Sequence, residues 1–164
     1  HSEAGYTFPL AWQPHLSLEF DYASGDGRGS SYNHFDTLFG MRRTDLAPYG
    51  IYGVLARTNI ATPGLRLEAT PSNRFDWFVD YRLLWLASPT DAFSSSGVRD
   101  AAGRAGSFAG QQLEGRVRYW VVPSALSLEV DGVLLFKGRF LETAPNTPPT
   151  GNTRYFSLNL TSYF

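Results

Sequence analysis

Charged residues recur at every second position along several segments of the chain, which is the spacing that places side chains on one face of a β-strand. Arginine alternates with aspartate and glutamate, so the set favours ion pairs and two-point contacts to carboxylates. Any one of these residues is better explained by a structural role, in ion pairs that stabilise neighbouring strands. The group as a whole suggests the lining of a polar pore. The candidate lining residues are Arg66, Glu68, Asp80, Arg82, Glu114, Arg116, Arg118, Glu129 and Asp131, with Arg139 and Arg154 near strand ends.

The chemistry of such a passage follows from its charges. An Arg or Lys side chain that faces lipid costs about 2–4 kcal/mol at the bilayer midplane, so these residues are expected to face water. Arginine favours anions in a pore, and acidic neighbours moderate the attraction so that a polyanion can leave again. Arg116 and Arg118, two positions apart, form the strongest local positive spot. The pattern therefore predicts passive, anion-selective diffusion.

Other chemistries have weak support. The chain has no cysteine, which excludes disulfides and thiolate metal sites. No Gly-x-Ser-x-Gly elbow occurs, and the histidines lack a metal-binding spacing. We therefore expect neither an enzyme nor a resident cofactor. The histidines are His1, His15 and His34.

A calcium site is a less favoured possibility. Three aspartates in or beside a glycine-rich stretch offer the hard oxygen ligands that Ca²⁺ prefers. Their spacing does not match a known calcium loop, and Gly and Asp are ordinary turn residues. The three are Asp21, Asp26 and Asp36.

Composition narrows the class of protein. The formal net charge of -1 gives no sign of nucleic-acid binding. No segment reaches the roughly 20 apolar residues of a membrane-spanning helix, but spanning strands escape that criterion because their faces alternate. Aromatic residues make up 15% of the chain, as expected where aromatic girdles line a membrane interface. The 164 residues fit one domain.

Period-two alternation predicts an all-β fold of about seven antiparallel strands, several of them near the ten residues that a tilted strand needs to cross a bilayer. Apolar side chains occupy the face opposite the charged residues. The predicted strands cover residues 3–8, 15–23, 65–70, 77–86, 112–121, 126–137 and 155–164.

The connections alternate between short and long. Outer-membrane barrels have short periplasmic turns and long outer loops, so this alternation favours a transmembrane β-barrel over a soluble sandwich. The first long loop is expected to have its own structure, with helical turns in 35–43 and 45–57, and to lid or plug a pore. The turns are 9–14, 71–74 and 123–124, and the long loops are about 24–61, 88–107 and 138–152.

The direction of the strands leads to a further expectation. If the short turns are periplasmic, the last strand ends at Phe164 in the periplasm and the first strand begins at the outer surface. Complete bacterial barrels have an even number of strands. Residues 1–164 are therefore expected to be a partial barrel domain, with an N-terminal portion absent.

Several segments resemble the alginate-export outer-membrane proteins. The likeness begins with Trp12-Gln13-Pro14 and Leu16–Asp26, and Asn33–Gly40 resembles a loop piece of that family. It continues in order along nearly the whole chain, through Asp45–Gly50, Arg57–Ile60, Leu86–Asp91 and Phe136–Glu142.

This resemblance implies an 18-stranded monomeric barrel in the bacterial outer membrane, of which the chain would hold about the last seven strands. It implies alginate as cargo, outer-membrane lipid as surroundings, and a periplasmic alginate secretion apparatus as partner. The C-terminal Phe164 would be read by the barrel-assembly machinery. The electropositive pathway would include Arg66, Arg82, Arg116, Arg118, Arg139 and Arg154.

Two alternatives stay open on the sequence alone. A soluble or surface-attached β-rich carbohydrate-binding module would use the same aromatics and arginines to hold sugars. A barrel fragment that assembles with another chain would also have these strands. A chain that stays monodisperse without detergent would favour the soluble module. The sequence before His1 would decide whether the chain is part of one longer barrel chain or a fragment that completes the barrel of another chain.

Overall fold

The structure is a computed structural model that describes residues 1–28, 33–36, 46–48 and 52–164. It contains strands β1 (Ser2–Thr7), β2 (His15–Ala23), β3 (Ile60–Ser72), β4 (Phe75–Trp85), β5 (Phe108–Val122), β6 (Leu126–Lys137) and β7 (Thr153–Ser162), and one helix, α1 (Arg139–Thr143). No helix in the described ranges is long and apolar enough to cross a bilayer.

The seven strands form one sheet in chain order, β1 to β7, and each neighbouring pair is antiparallel. The predicted all-β antiparallel class is therefore confirmed. The largest difference is in β3, which begins at Ile60 rather than at 65. The strand runs through Pro63 and Gly64, which lie in register with Phe20 and Glu19 of β2.

The sheet has two unlike faces, because side chains alternate along every strand. We call one the apolar face: its residues are large hydrophobics that stay exposed, up to 69% for Phe156 and Leu160. The pairing aligns them strand by strand, as with Leu16 opposite Leu67 and Val117 opposite Val130. We call the opposite, largely buried side the polar face.

The three long loops lie at one end of the sheet and cover the polar face there. Apolar loop residues pack on apolar strand residues to form the only hydrophobic core cluster among the described residues. The strands contribute Ala23, Ile60, Leu84, Ala109, Val133 and Leu135, and the loops contribute Leu46, Ala47, Tyr52, Leu55, Leu86, Phe93, Val98, Ala105, Phe140, Leu141 and Ala144.

The loops differ from the predictions in their helical content. The helix α1 lies inside the predicted loop 138–152, where the adjacent apolar residues Phe140 and Leu141 are both buried. The helical turns predicted in 35–43 and 45–57 fall partly on 37–45 and 49–51, which lie outside the described residues. Within the described 52–57 there is no helix.

The pairing of β4 with β5 is irregular near the loop end of the sheet, where β5 also approaches β6 closely. The register of β4 against β5 shifts between Leu84 and Trp85, next to Gly110. Gly110 has a φ of +146°, and a Cβ there would lie 2.2 Å from the carbonyl oxygen of Phe136 on β6. Only glycine allows β5 and β6 to approach this closely, because any side chain would meet backbone.

Replacing Gly110 with alanine should lower the free energy of unfolding by about 1–3 kcal/mol through backbone strain and the clash. Urea denaturation of the purified protein measures the change. Gly132→Ala is the matched control, since a Cβ at Gly132 in β6 would meet no other atom within 4 Å. Equal losses in the two variants would contradict a special requirement at Gly110.

Candidate functional site

The most buried charges of the polar face surround Arg82, and we call them the Arg82 cluster. Arg82 Nε donates to Asp80 Oδ2 at 2.6 Å, Nη1 donates to Asp21 Oδ2 at 3.1 Å, and Nη2 donates to Glu19. The first long loop adds Arg57, whose Nε and Nη2 donate to Asp21 Oδ1 at 3.0 and 2.8 Å. One guanidinium thus joins carboxylates from β2 and β4.

Gly64 makes this reach possible. Glu19 on β2, Gly64 on β3 and Arg82 on β4 lie in register, and neighbouring strands are about 4.8 Å apart. The Arg82 side chain crosses β3 above Gly64, where a Cβ would lie 3.1 Å from its Cγ. A larger residue at 64 would block the path from β4 to β2.

Burial decides what this cluster does. The Arg82 side chain is 1% exposed, and so it has no surface to offer a passing molecule. Removing one partner of a buried ion pair leaves an uncompensated charge, which is strongly destabilising. The Arg82 cluster is therefore best explained as a brace that ties β2, β4 and the first long loop together.

A second group lies toward the short-turn end of the polar face, and we call it the Asp76 cluster. Arg116 Nη2 donates to Asp76 Oδ1 at 2.9 Å, and Arg118 Nε donates to Asp76 Oδ2 at 3.1 Å. Glu129 Oε2 lies 3.7 Å from Arg116 Nε and 3.8 Å from Arg118 Nε. These side chains are partly exposed, 26% for Arg118, and can meet a solute.

Aromatic rings hold the arginines of this end in place. The Cζ atoms of Arg66 and Arg116 lie 3.9 and 4.7 Å from the ring centroid of Phe78. The Cζ atom of Arg118 lies 5.9 Å from a ring of Trp120. A guanidinium over an aromatic face is attracted by the ring quadrupole, so the three side chains keep defined orientations.

A cavity of about 460 Å³ opens beside the Asp76 cluster. Charged and hydrogen-bonding groups dominate its wall, which suits a hydrated polar ligand better than an apolar one. The wall residues are Pro48, Phe78, Glu114, Arg116, Arg118, Ser127, Glu129, Asp131, Asn159, Thr161 and Tyr163.

Hydrogen bonds join the first long loop to Gln112 on the polar face. Tyr52 donates its hydroxyl hydrogen to Gln112 Oε1 at 2.7 Å, and Gln112 Nε2 donates to the carbonyl of Leu46 at 3.1 Å. Burial of the Tyr52 side chain, reinforced by Glu114, raises the pKa of its hydroxyl. Tyr52 therefore stays protonated and keeps its hydrogen bond across the ordinary pH range.

The expected calcium ligands are separated. Asp21 belongs to the Arg82 cluster, whereas Asp26 meets His34 and Asp91, with ligand atoms within 4.8 Å of one another. Burial disfavours the Asp91 anion, but hydrogen bonds from the amides of Asp26 and Ala92, together with His34, lower its pKa overall. These contacts link the first and second long loops, and the same three side chains are the group that could hold a divalent cation.

The structure places most of the predicted lining residues together. Those on the polar face are Arg66, Glu68, Asp80, Arg82, Glu114, Arg116, Arg118, Glu129 and Asp131. Two further candidates, both near strand ends as predicted, lie off the polar face. Arg154 pairs with exposed Leu134 and so lies on the apolar face, because it shares the phase of Phe156. Arg139 begins α1 beyond the sheet, where it is exposed.

The prediction also left out charged residues that the structure brings into the two clusters. Glu19, Asp21 and Asp76 lie at the same alternate positions as neighbouring polar-face residues, so strand periodicity contained the signal. Arg57 comes from a loop, where no periodicity exists. With these residues included, carboxylates outnumber guanidinium groups on the polar face.

Comparison with protein families gives one match. A family model described as "Alginate export" matches residues 1–153. A comparison with curated proteins found no match.

Arg82→Met should lower the free energy of unfolding by about 3–5 kcal/mol, because three buried carboxylates lose their shared partner. Arg118→Met is the control: its ion pair is partly exposed, so the expected loss is only about 0–1 kcal/mol. Urea denaturation of both variants measures the difference. Similar small losses for the two would show that Arg82 does not brace the sheet.

Proposed function

Because the chain belongs to the alginate export family, we propose that it forms part of the wall of an outer-membrane β-barrel through which alginate passes. The family is one of export channels rather than of enzymes, which agrees with the expectation of a non-enzyme. The observation that supports the proposal best is the two-faced sheet, apolar and exposed on one side, charged and partly open on the other.

The apolar face is suited to lipid. Its large side chains are exposed along all seven strands, and the described residues offer nothing that covers them. Strands β2 to β7 have 9 to 15 residues, enough to cross a bilayer at a tilt. An outer-membrane location follows from this proposal, with lipid as the partner of the apolar face.

Closure of the sheet completes the proposal. The outer edges of β1 and β7 have no strand partner within the described residues, and unpaired backbone groups cannot remain exposed to a bilayer core. In a barrel of 18 strands, as the resemblance implies, further strands pair with both edges. The barrel-assembly machinery is a further partner in this proposal, with exposed Phe164 as the residue that it would contact.

The cargo assignment depends on the Asp76 cluster. Arg116 and Arg118 are the arginines of the sheet that combine partial exposure with a neighbouring cavity. Carboxylated sugars match guanidinium groups in shape and charge. Wall carboxylates such as Glu129 and Asp131 limit the attraction, so that a uronate polymer is released toward the outside and can move by diffusion. A periplasmic secretion apparatus would deliver the polymer.

Serine at both Arg116 and Arg118 should lower the ratio of anion to cation permeability about threefold to tenfold, because two guanidinium charges leave the pathway. The measurement is reversal potential across planar bilayers with the full-length protein. Arg139→Ser, which removes an exposed arginine outside the sheet, should leave the ratio unchanged.

Uronate oligomers added to the same bilayers should reduce the current of the unaltered protein and do so less in the double variant. Cation preference in the unaltered protein, with no effect of uronates, would rule out alginate as cargo. Equal block in both proteins would return Arg116 and Arg118 to a bracing role.

Leu128→Arg should impair assembly into the outer membrane, because Leu128 is 37% exposed on the apolar face, where a charge facing lipid costs from about 0–1 kcal/mol near a strand end to about 2–4 kcal/mol at the midplane. Asn159→Arg is the matched control, since Asn159 lines the cavity next to Asp131. Heat-modifiable mobility on gels measures assembly. Normal assembly of Leu128→Arg would contradict the lipid-facing assignment.

A further inference from the structure

We infer that Phe78 is a positioning residue for cargo contact, which holds the Arg116 guanidinium at the cavity wall. The inference rests on the proposed function and deepens it. Phe78 is an aromatic residue between Asp76 and Asp80 on the polar face of β4, and it is 4% exposed. It pairs with Glu68 on β3 and Arg116 on β5. A buried aromatic side chain is unusual at a position surrounded by charged residues.

Two guanidinium groups lie over the ring of Phe78 and explain its position. Arg66 comes from β3 and Arg116 from β5, the strands on either side of β4, and their Cζ atoms lie 3.9 and 4.7 Å from the ring centroid. Two like charges this close to one ring repel each other. The negative face of the ring offsets that repulsion, so Phe78 keeps both arginines beside β4 at the short-turn end of the polar face.

The ring contact and the ion pair together restrain the Arg116 donors. The N–H groups of a guanidinium lie in its plane, and Nη2 donates to Asp76 Oδ1 at 2.9 Å. Glu129 Oε2 is 3.7 Å from Arg116 Nε, outside hydrogen-bond distance. Arg116 and Phe78 line the same cavity. Because Arg116 Nε is buried and has no hydrogen-bond partner among the described residues, we expect a cargo carboxylate to meet the terminal Nη atoms of Arg116 instead.

Without the ring, Arg116 is free to turn toward the wall. Asp131 lies directly opposite Arg116 in the β5–β6 register, and Glu129 lies one pair away, opposite Arg118. A closer ion pair with Asp131 or Glu129 would occupy the N–H donors of Arg116 that the cargo would otherwise meet. Phe78 thereby separates the cargo-contacting role of Arg116 from the bracing role of Arg82, although both arginines have carboxylate neighbours.

The test is block of the full-length protein by mannuronate oligomers in planar bilayers. Phe78→Leu should raise the half-blocking concentration about fivefold to tenfold, which corresponds to losing a partly desolvated cation–π contact. Phe78→Tyr keeps the ring and should stay within about twofold of the unaltered protein. Tyrosine also preserves the packing of the ring, so the comparison with a second buried ring separates a packing role from the contact with arginine.

Phe140→Leu is the control for loss of a buried ring, because Phe140 lies in the loop core away from the arginines of the Asp76 cluster. It should leave the half-blocking concentration unchanged, and urea denaturation shows whether its stability matches that of Phe78→Leu. Unchanged block in Phe78→Leu, or equal impairment of Phe78→Tyr, overturns the inference about Phe78 alone. Absence of block in the unaltered protein overturns the cargo assignment, and this inference with it.

Discussion

Register is the constraint on which the structure depends. A slip of one residue in any strand pair would turn a row of charges to the apolar face and a row of leucines to the polar one. Arg82 opposes such a slip, because its guanidinium reaches from β4 across Gly64 to Glu19 and Asp21 on β2. One buried side chain thus fixes the register of three strands relative to one another. The alternation of apolar and polar residues fixes the register along the rest of each strand.

Position along the strands separates two uses of arginine. At Arg82, burial makes each ion pair a structural bond that no solute reaches. Arg116 and Arg118 also form ion pairs with a carboxylate, but their side chains lie beside a cavity and are partly exposed. The loops account for the difference, because their core residues cover the polar face toward one end, whereas Pro48 is the one described residue of the long loops that lines the cavity. Arginine content alone would not reveal this division.

The sequence predicted strands well because alternation is a local signal. β2 and β6 have the predicted bounds, and the phase of each strand assigned Arg116 to the correct face. The same rule, applied to β7, would have moved Arg154 to the apolar face. Contacts from loops were out of reach: nothing local relates Arg57 to Asp21, 36 residues apart, or Asp26 to Asp91. Those pairs exist only once the sheet has brought the loops together.

Excess carboxylate on the wall is compatible with an anionic cargo in the proposed channel. A bare guanidinium would bind a uronate tightly, since two unit charges 4 Å apart attract by about 4 kcal/mol at an effective dielectric constant of 20. Arg116 already has Asp76 as a partner and Glu129 near it. A uronate carboxylate therefore exchanges with a chemically similar group, so most of the attraction cancels between the two states. Exchange of that kind lets a polyanion move from one arginine to the next without being held at any.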